Sequence, residues 1–252
     1  MTQTTPIFHI AANEAAFAAN AADLFVAAFE ACLSEHQGGR GPLVVLPTGN
    51  TPLGMYRELI ARHGHRQDLW QNLRFLALDE YAGLDPDDER LFYGWVSRTF
   101  LDPAGVPQNN RMRFNSNARN PQDEIARIDQ WLQENGPIDL AVLGLGTNGH
   151  IAFNEPGSDF TQATHHVTLT KDTLDANAKY WGGVDRVPKT AYTLGLGQLS
   201  AARRTILLVN GAHKASILNR VLHGEISQDI PATYLRQQHG VTILADKAAC
   251  PA

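Results

Sequence analysis

The sequence predicts an α/β fold of three layers, a mostly parallel sheet with helices on both faces. Short apolar runs alternate with helical patterns along almost the whole chain. The stretches between runs are long enough to hold a helix, as βαβ units require. The strand runs are continuously apolar rather than alternating, which is the pattern of strands covered on both sides.

In chain order, Ile7–Ile10 opens as a strand, and an alanine-rich helix follows to about Ser34. A turn over Gly38–Pro42 leads into the strand Leu43–Pro47, then a helix from Leu53 to about Ala61 and the strand Leu73–Leu78. Helical stretches over Leu91–Leu101 and Gln122–Glu134 precede the apolar run Ile138–Leu143. The strand Thr205–Val209, a helix over Lys214–Leu222 and the strand Val241–Leu244 complete the pattern. With 252 residues, 43% of them hydrophobic, and no internal repeat or long linker, one domain over residues 1–252 is preferred.

A formal net charge of −5 provides no basic excess to neutralise phosphates, so a nucleic-acid partner is not expected. No uninterrupted membrane-length apolar run is present, so no membrane span is expected. The stretch Met1–Pro6 lacks the basic-then-apolar order of a signal peptide. Cys32 and Cys250 are too far apart for a metal motif and are expected as free thiols in a cytoplasmic protein.

Three loops at strand ends carry candidate chemistry. The segment Pro47–Pro52 follows a strand, with Thr51 expected as a helix N-cap and Pro52 at the first helical position. Such a loop turns backbone N–H groups and hydroxyls toward an anion, although an ordinary strand-to-helix turn has the same look. The second loop, Leu78–Gly83, carries adjacent carboxylates, Asp79 and Glu80. Either they are solvated charge, or one of them faces a cleft as a general base. Neighbouring side chains point in different directions, so at most one faces the site.

The third loop is Leu143–Gly157. Gly144, Gly146 and Gly149 match the spacing of a dinucleotide fingerprint, which should open a helix and be followed about 20 residues later by an acidic residue at a strand end. Here Pro156 and Gly157 interrupt within one or two turns, and Asp172 and Asp175 sit in a polar stretch, so nucleotide binding is not supported. His150, on a polar glycine loop at a strand end, suits proton transfer near neutral pH better than burial in a core. Glu155 is placed to orient it or balance its charge.

Together these segments resemble the glucosamine-6-phosphate deaminase (isomerase) family. The resemblance rests on Leu46–Pro52, Leu78–Gly83 and Leu143–Gly157, with further similarity at Asn177–Tyr180, Val187–Lys189, Leu194–Gly197 and Gly211–Lys214. It runs from about Pro42 to Ala245 in the family's order.

The resemblance implies a modified Rossmann-like sheet and conversion of D-glucosamine 6-phosphate and water to D-fructose 6-phosphate and ammonia. It implies no metal and no organic cofactor, an amino-sugar phosphate as small-molecule partner, and a monomer or homo-oligomer. His150 is implied in ring opening, held by Glu155 and Asn148, and Asp79 in moving a proton from C2 to C1. The phosphate is implied to meet Thr48, Gly49, Asn50 and Thr51, with charge from Lys179 and Lys214. Gly149 is implied to bring its backbone close to the sugar.

Four positions depart from the family pattern. Lys179 stands where many members have arginine and lacks the bidentate fork. Asn148 stands where some members have aspartate, and Leu91-Phe92 where Ser-Tyr is frequent. The alternatives are a galactosamine-6-phosphate deaminase, a 6-phosphogluconolactonase of the same fold, and a non-catalytic sugar-phosphate sensor. Asp79-Glu80-Tyr81 and Asn148–Glu155 differ from the lactonase motifs, and a sensor has no need of a base.

Overall fold

A computed structural model of the chain describes residues 5–36 and 39–250. Most of the amino-terminal stretch read above for a signal pattern, and Gly38 of the predicted turn, lie outside them.

The strands are β1 (Ile7–Ala11), β2 (Leu43–Leu46), β3 (Arg74–Ala77), β4 (Asp79–Tyr81), β5 (Arg111–Met112), β6 (Leu140–Gly144), β7 (His165–Thr168), β8 (Thr190–Thr193), β9 (Arg204–Val209) and β10 (Val241–Asp246). The helices are α1 (Glu14–Glu35), α2 (Asn50–His63), α3 (Gln67–Trp70), α4 (Phe92–Val96), α5 (Asp102–Ala104), α6 (Pro121–Asn135), α7 (Lys171–Trp181), α8 (Leu196–Ser200) and α9 (Ala215–His223). A seven-stranded sheet runs β1-β10-β9-β6-β2-β3-β5, and every pairing in it is parallel. All four residues of β2 are buried. Successive side chains leave a strand on opposite faces, so both faces of β2 are covered.

Helix α1 starts where the Asn13 side chain accepts a hydrogen bond from the Ala16 N–H at 2.9 Å. Its buried Phe17, Ala21, Phe25, Phe29 and Cys32 recur every three or four residues, the spacing of one helical face. That face enters the main core, where Phe25 and Phe29 meet Trp70, and Phe100 packs edge-on against Phe25. By length and composition α1 would also suffice to cross a membrane, which the sequence reading did not anticipate. Its apolar face is instead used in packing against α2, β10 and β1.

Two findings depart from the sequence expectations. The residues after β3 do not form a loop. Asp79–Tyr81 is a strand, and β4, β8 and β7 make a separate antiparallel sheet with Asp79 opposite Thr193. With α7 and the segment from Leu84 to Phe92, this sheet encloses a second, smaller core of Tyr81, Leu91, Phe153, Leu169, Trp181, Val187 and Ala191. The helix expected over Leu91–Leu101 is also divided, α4 giving way to a π-helical turn over Ser97–Leu101.

At the amino ends of the central strands, Asp139 joins β2 to β6. Its carboxylate accepts from the Leu43 N–H at 2.8 Å and from His36 Nε2 at 2.9 Å, and its own N–H donates to the Leu43 carbonyl. Asp139 is 2% exposed, so removing its acceptor strands a buried donor. Asp139→Ala is expected to cost about 2–3 kcal/mol, read as a lower urea unfolding midpoint with an unchanged slope.

Candidate active site

The strand order reverses at β2 and β6: the chain goes from β2 to β3 on one side and from β6 to β9 on the other. Open α/β sheets bind ligands beyond the carboxyl ends of strands at such a point. A cavity of about 570 Å³ lies there. The connections leaving β3, β2, β6 and β9 supply Asp79, the Thr48–Thr51 loop, Asn148 with His150, and Lys214 to its lining.

Asp79 opens β4 and lines the cavity. Burial first, and the neighbouring Glu80 charge second, push its carboxyl up to about 8. Glu80 points the other way, as alternation along a strand requires. It is 1% exposed, and it accepts hydrogen bonds from the backbone N–H groups of Tyr81 at 3.0 Å and of Phe92 and Tyr93 at 2.9 Å each. Burial raises its carboxyl to about 7 against the pull of those three donors and of Arg113.

The glycine loop after β6 holds a connected acid–base set. His150 Nδ1 lies 3.4 Å from Glu155 Oε2, close enough for charge contact though not aligned as a hydrogen bond. Glu155 is buried, and both of its oxygens are occupied: Asn148 Nδ2 donates to Oε2 at 2.8 Å, and the Thr173 hydroxyl donates to Oε1. Burial by itself would raise the Glu155 carboxyl, but His150, Thr173 and Asn148 outweigh it and hold the group at about 2. Asn148 also accepts from the His150 backbone N–H at 3.1 Å, so it connects loop and carboxylate without touching the imidazole nitrogens. A Cβ at Gly146 would stand 2.5 Å from three ring atoms of His150, so only glycine lets the imidazole lie on that backbone.

The loop expected to meet an anion differs in detail from the expectation. Helix α2 begins at Asn50, and Gly49, at φ 92°, is its N-cap without a side-chain cap bond. Thr51 therefore sits in the first turn and donates to Asn210 Oδ1 at 2.7 Å, tying this loop to the one after β9. The first N–H groups of α2 have no partner within the helix, and Pro52 contributes none. Lys214 is half-buried; burial brings its ammonium down to about 8, and among the described residues no carboxylate pairs with it. The Gly211 N–H ahead of it is held by both Asp246 oxygens, at 3.0 and 3.1 Å.

Thr48, Gly49, Asn50, Thr51, Asp79, Asn148, His150, Lys179 and Lys214 thus line one cavity. Lys179 is exposed at its rim, its ammonium 4.9 Å from the Tyr180 ring centre. Glu155 stands behind His150 rather than on the wall. Gly149 is also off the wall: its N–H donates to the Gly146 carbonyl, and a Cβ added to it would stand 2.5 Å from Ile230. Sequence reading named Asn177 only within a family motif and Phe92 only as a departure from the family pattern, and it missed Thr173 and Trp181, all four cavity-lining, and Asn210 behind Thr51. Only the Thr173 and Asn177 positions had a local signal, an i, i+4 pair of polar residues on one helix face. Among the described residues, no group of three or more His, Cys, Asp or Glu is placed to hold a metal ion.

The family described as glucosamine-6-phosphate isomerases/6-phosphogluconolactonase matches residues 12–244. The chain is 40% identical over 204 residues to the glucosamine-6-phosphate deaminase of Bacillus pumilus (strain SAFR-032), covering 81% of this chain and 85% of that protein. It is 39% identical over 204 residues to glucosamine-6-phosphate deaminase 1 of Bacillus subtilis (strain 168), covering 81% and 84%. A solved structure of a monomeric glucosamine-6-phosphate deaminase of the NagB superfamily superposes with a TM-score of 0.88 at 35% identity, over 96% of this chain and 98% of that one. A 6-phosphogluconolactonase from Thermotoga maritima, at TM-score 0.76 and 16% identity over 96% and 100%, shares the fold. The chain belongs to the glucosamine-6-phosphate isomerase/6-phosphogluconolactonase family.

Proposed function

We propose that this single-domain enzyme deaminates and isomerises D-glucosamine 6-phosphate to D-fructose 6-phosphate and ammonia. The observation that carries this reading is that a buried carboxylate, Asp79, and His150, backed by Glu155, share one cavity with the cation Lys214, which no carboxylate pairs among the described residues. The deaminase names of the relatives at 39–40% identity support it. The lactonase, at 16%, supports only the fold.

In this mechanism the 6-phosphate lies between the first turn of α2 and Lys214, which fixes the sugar along the cavity. His150 takes the proton of the C1 hydroxyl and returns it to the ring oxygen, opening the ring. The fixed charge of Glu155, 3.4 Å away, stabilises the imidazolium between those two steps. Asp79 then removes the proton from C2 while the C1 carbonyl oxygen takes a proton from water to give the enolamine, and Asp79 returns its proton to C1. The resulting C2 imine is hydrolysed by water with release of ammonia. A carboxylate whose proton affinity lies near the working pH suits both directions of that transfer.

Four outcomes test this. Purified protein should release ammonia from glucosamine 6-phosphate and show no comparable hydrolysis of 6-phosphogluconolactone; the same assay with galactosamine 6-phosphate reads the epimer preference. Asp79→Asn should lower kcat by about 10²–10⁴-fold with little change in KM. Lys214→Met should raise KM roughly 10- to 100-fold and change kcat less, because it removes a charged hydrogen-bond donor used equally in ground and transition states. In the free enzyme kcat/KM should rise as Asp79 loses its proton near pH 8 and fall as Lys214 loses its own near the same pH, giving a narrow bell.

A further inference from the structure

The mechanism leaves a buried carboxylate beside the site, Glu80, unused. Glu80 is adjacent to the base, almost fully buried, and pairs with no side-chain cation at ion-pair distance among the described residues. Its two oxygens are instead spent on backbone. Oε1 accepts from Tyr81 and Phe92, and Oε2 accepts from Tyr93. Phe92 and Tyr93 are the first two residues of α4, whose first turn has no cap of its own. Helix N-termini lack intrahelical acceptors for those N–H groups, so Glu80 acts as their cap from another element.

What α4 carries explains why a distant cap is useful. Glu89, Arg90, Phe92 and Trp95, at and before its first turn, line the cavity. Phe92 packs on Tyr81, with ring centres 4.7 Å apart, and on Phe153 of the His150 loop at 5.8 Å. One carboxylate therefore determines where a wall of the cavity stands relative to strand β4, and β4 carries the base.

We propose that Glu80 is a positioning residue for catalysis: its buried carboxylate holds the first turn of α4 against the cavity while placing its negative charge beside Asp79. The second half follows from the first. Three N–H donors favour the ionised carboxylate, and an ionised neighbour makes Asp79 hold its proton more tightly. The charge assignment accounts for each group facing Glu80. These are Asp79 and Tyr81 on its own strand, Tyr192 opposite it on β8 with His166 of β7 against that ring, Tyr93 on α4, and Arg113 beyond β5. Arg113 is the only cation among them that lowers the Glu80 carboxyl, and its guanidinium lies over the Tyr93 ring at 4.8 Å.

The inference rests on Asp79 as the base, and two substitutions separate its parts. Glu80→Gln keeps the size, removes the charge and turns an amide N–H toward the Tyr93 or Phe92 N–H. It should move the acid limb of the kcat/KM profile down by about a unit, raise KM roughly tenfold, and expose the Phe92 and Tyr93 amides to faster hydrogen exchange by NMR. Glu80→Asp keeps the charge but shortens the reach. It should loosen the same two amides and raise KM while leaving the acid limb within a few tenths of a unit of its original place. A Glu80→Gln protein with an unmoved acid limb, or with both amides still protected, overturns the proposal. Turnover surviving in Asp79→Asn would instead remove the base assignment, and the amide-exchange results would still stand.

Discussion

Strands β2 and β6 touch over two registered pairs, Val44 with Leu140 and Val45 with Ala141. At their amino ends Asp139 clamps Leu43 through both of that residue's backbone polar groups. Beyond Leu46 and Gly144 nothing equivalent joins them, and the chain turns away to opposite sides of the sheet. The crevice between those carboxyl ends is therefore a consequence of strand order, and every group assigned to the chemistry projects into it or supports one that does. Closing the sheet firmly at one end lets it stay open at the other.

The groups around that opening are arranged as opposites. Glu155 accepts a hydrogen bond on each oxygen and is held at about 2, so its low proton affinity suits the orienting, charge-balancing role proposed for it beside His150 and not that of a base. Asp79 has burial and a like charge beside it and holds its proton far more tightly. Two carboxylates of similar intrinsic acidity are driven apart by their surroundings, and that separation matches the orienting and proton-carrying roles proposed for them. Asn148 fits this division: lacking a titratable group, it still ties the loop backbone to Glu155.

Much of this was legible in the sequence, for identifiable reasons. The parallel strands show as unbroken apolar runs because both of their faces are covered. His150, Glu155 and Asp79 stand out because titratable groups at the ends of such runs have no packing explanation. The small antiparallel sheet did not show: β7 is His165-His166-Val167-Thr168, none of it fully buried, and β4 is three residues long. Helix α7 has only Thr173 and Trp181 buried and so carries no apolar stripe. That concealed Thr173, whose bond to Glu155 spans 18 residues. The start of α2 was misplaced because Gly49, at φ 92°, caps the helix two residues before Thr51 of the Thr-Pro pair that resembles a cap. Lys214 entered only through family resemblance, since a lysine near a helix start is otherwise ordinary.

The division of apolar side chains into two clusters has a consequence for how the molecule breathes. The larger cluster binds α1, α2 and the parallel strands into one body. The smaller one, built around Tyr81, Phe153, Trp181 and Val187, holds α7 and the strands β4, β7 and β8. Because opening free energies follow the apolar contacts that must be broken, the smaller cluster can part while the larger stays intact. Its members include Tyr81 and Trp181 of the cavity wall, so the part of the protein held by the smaller apolar cluster is also part of the wall around the ligand.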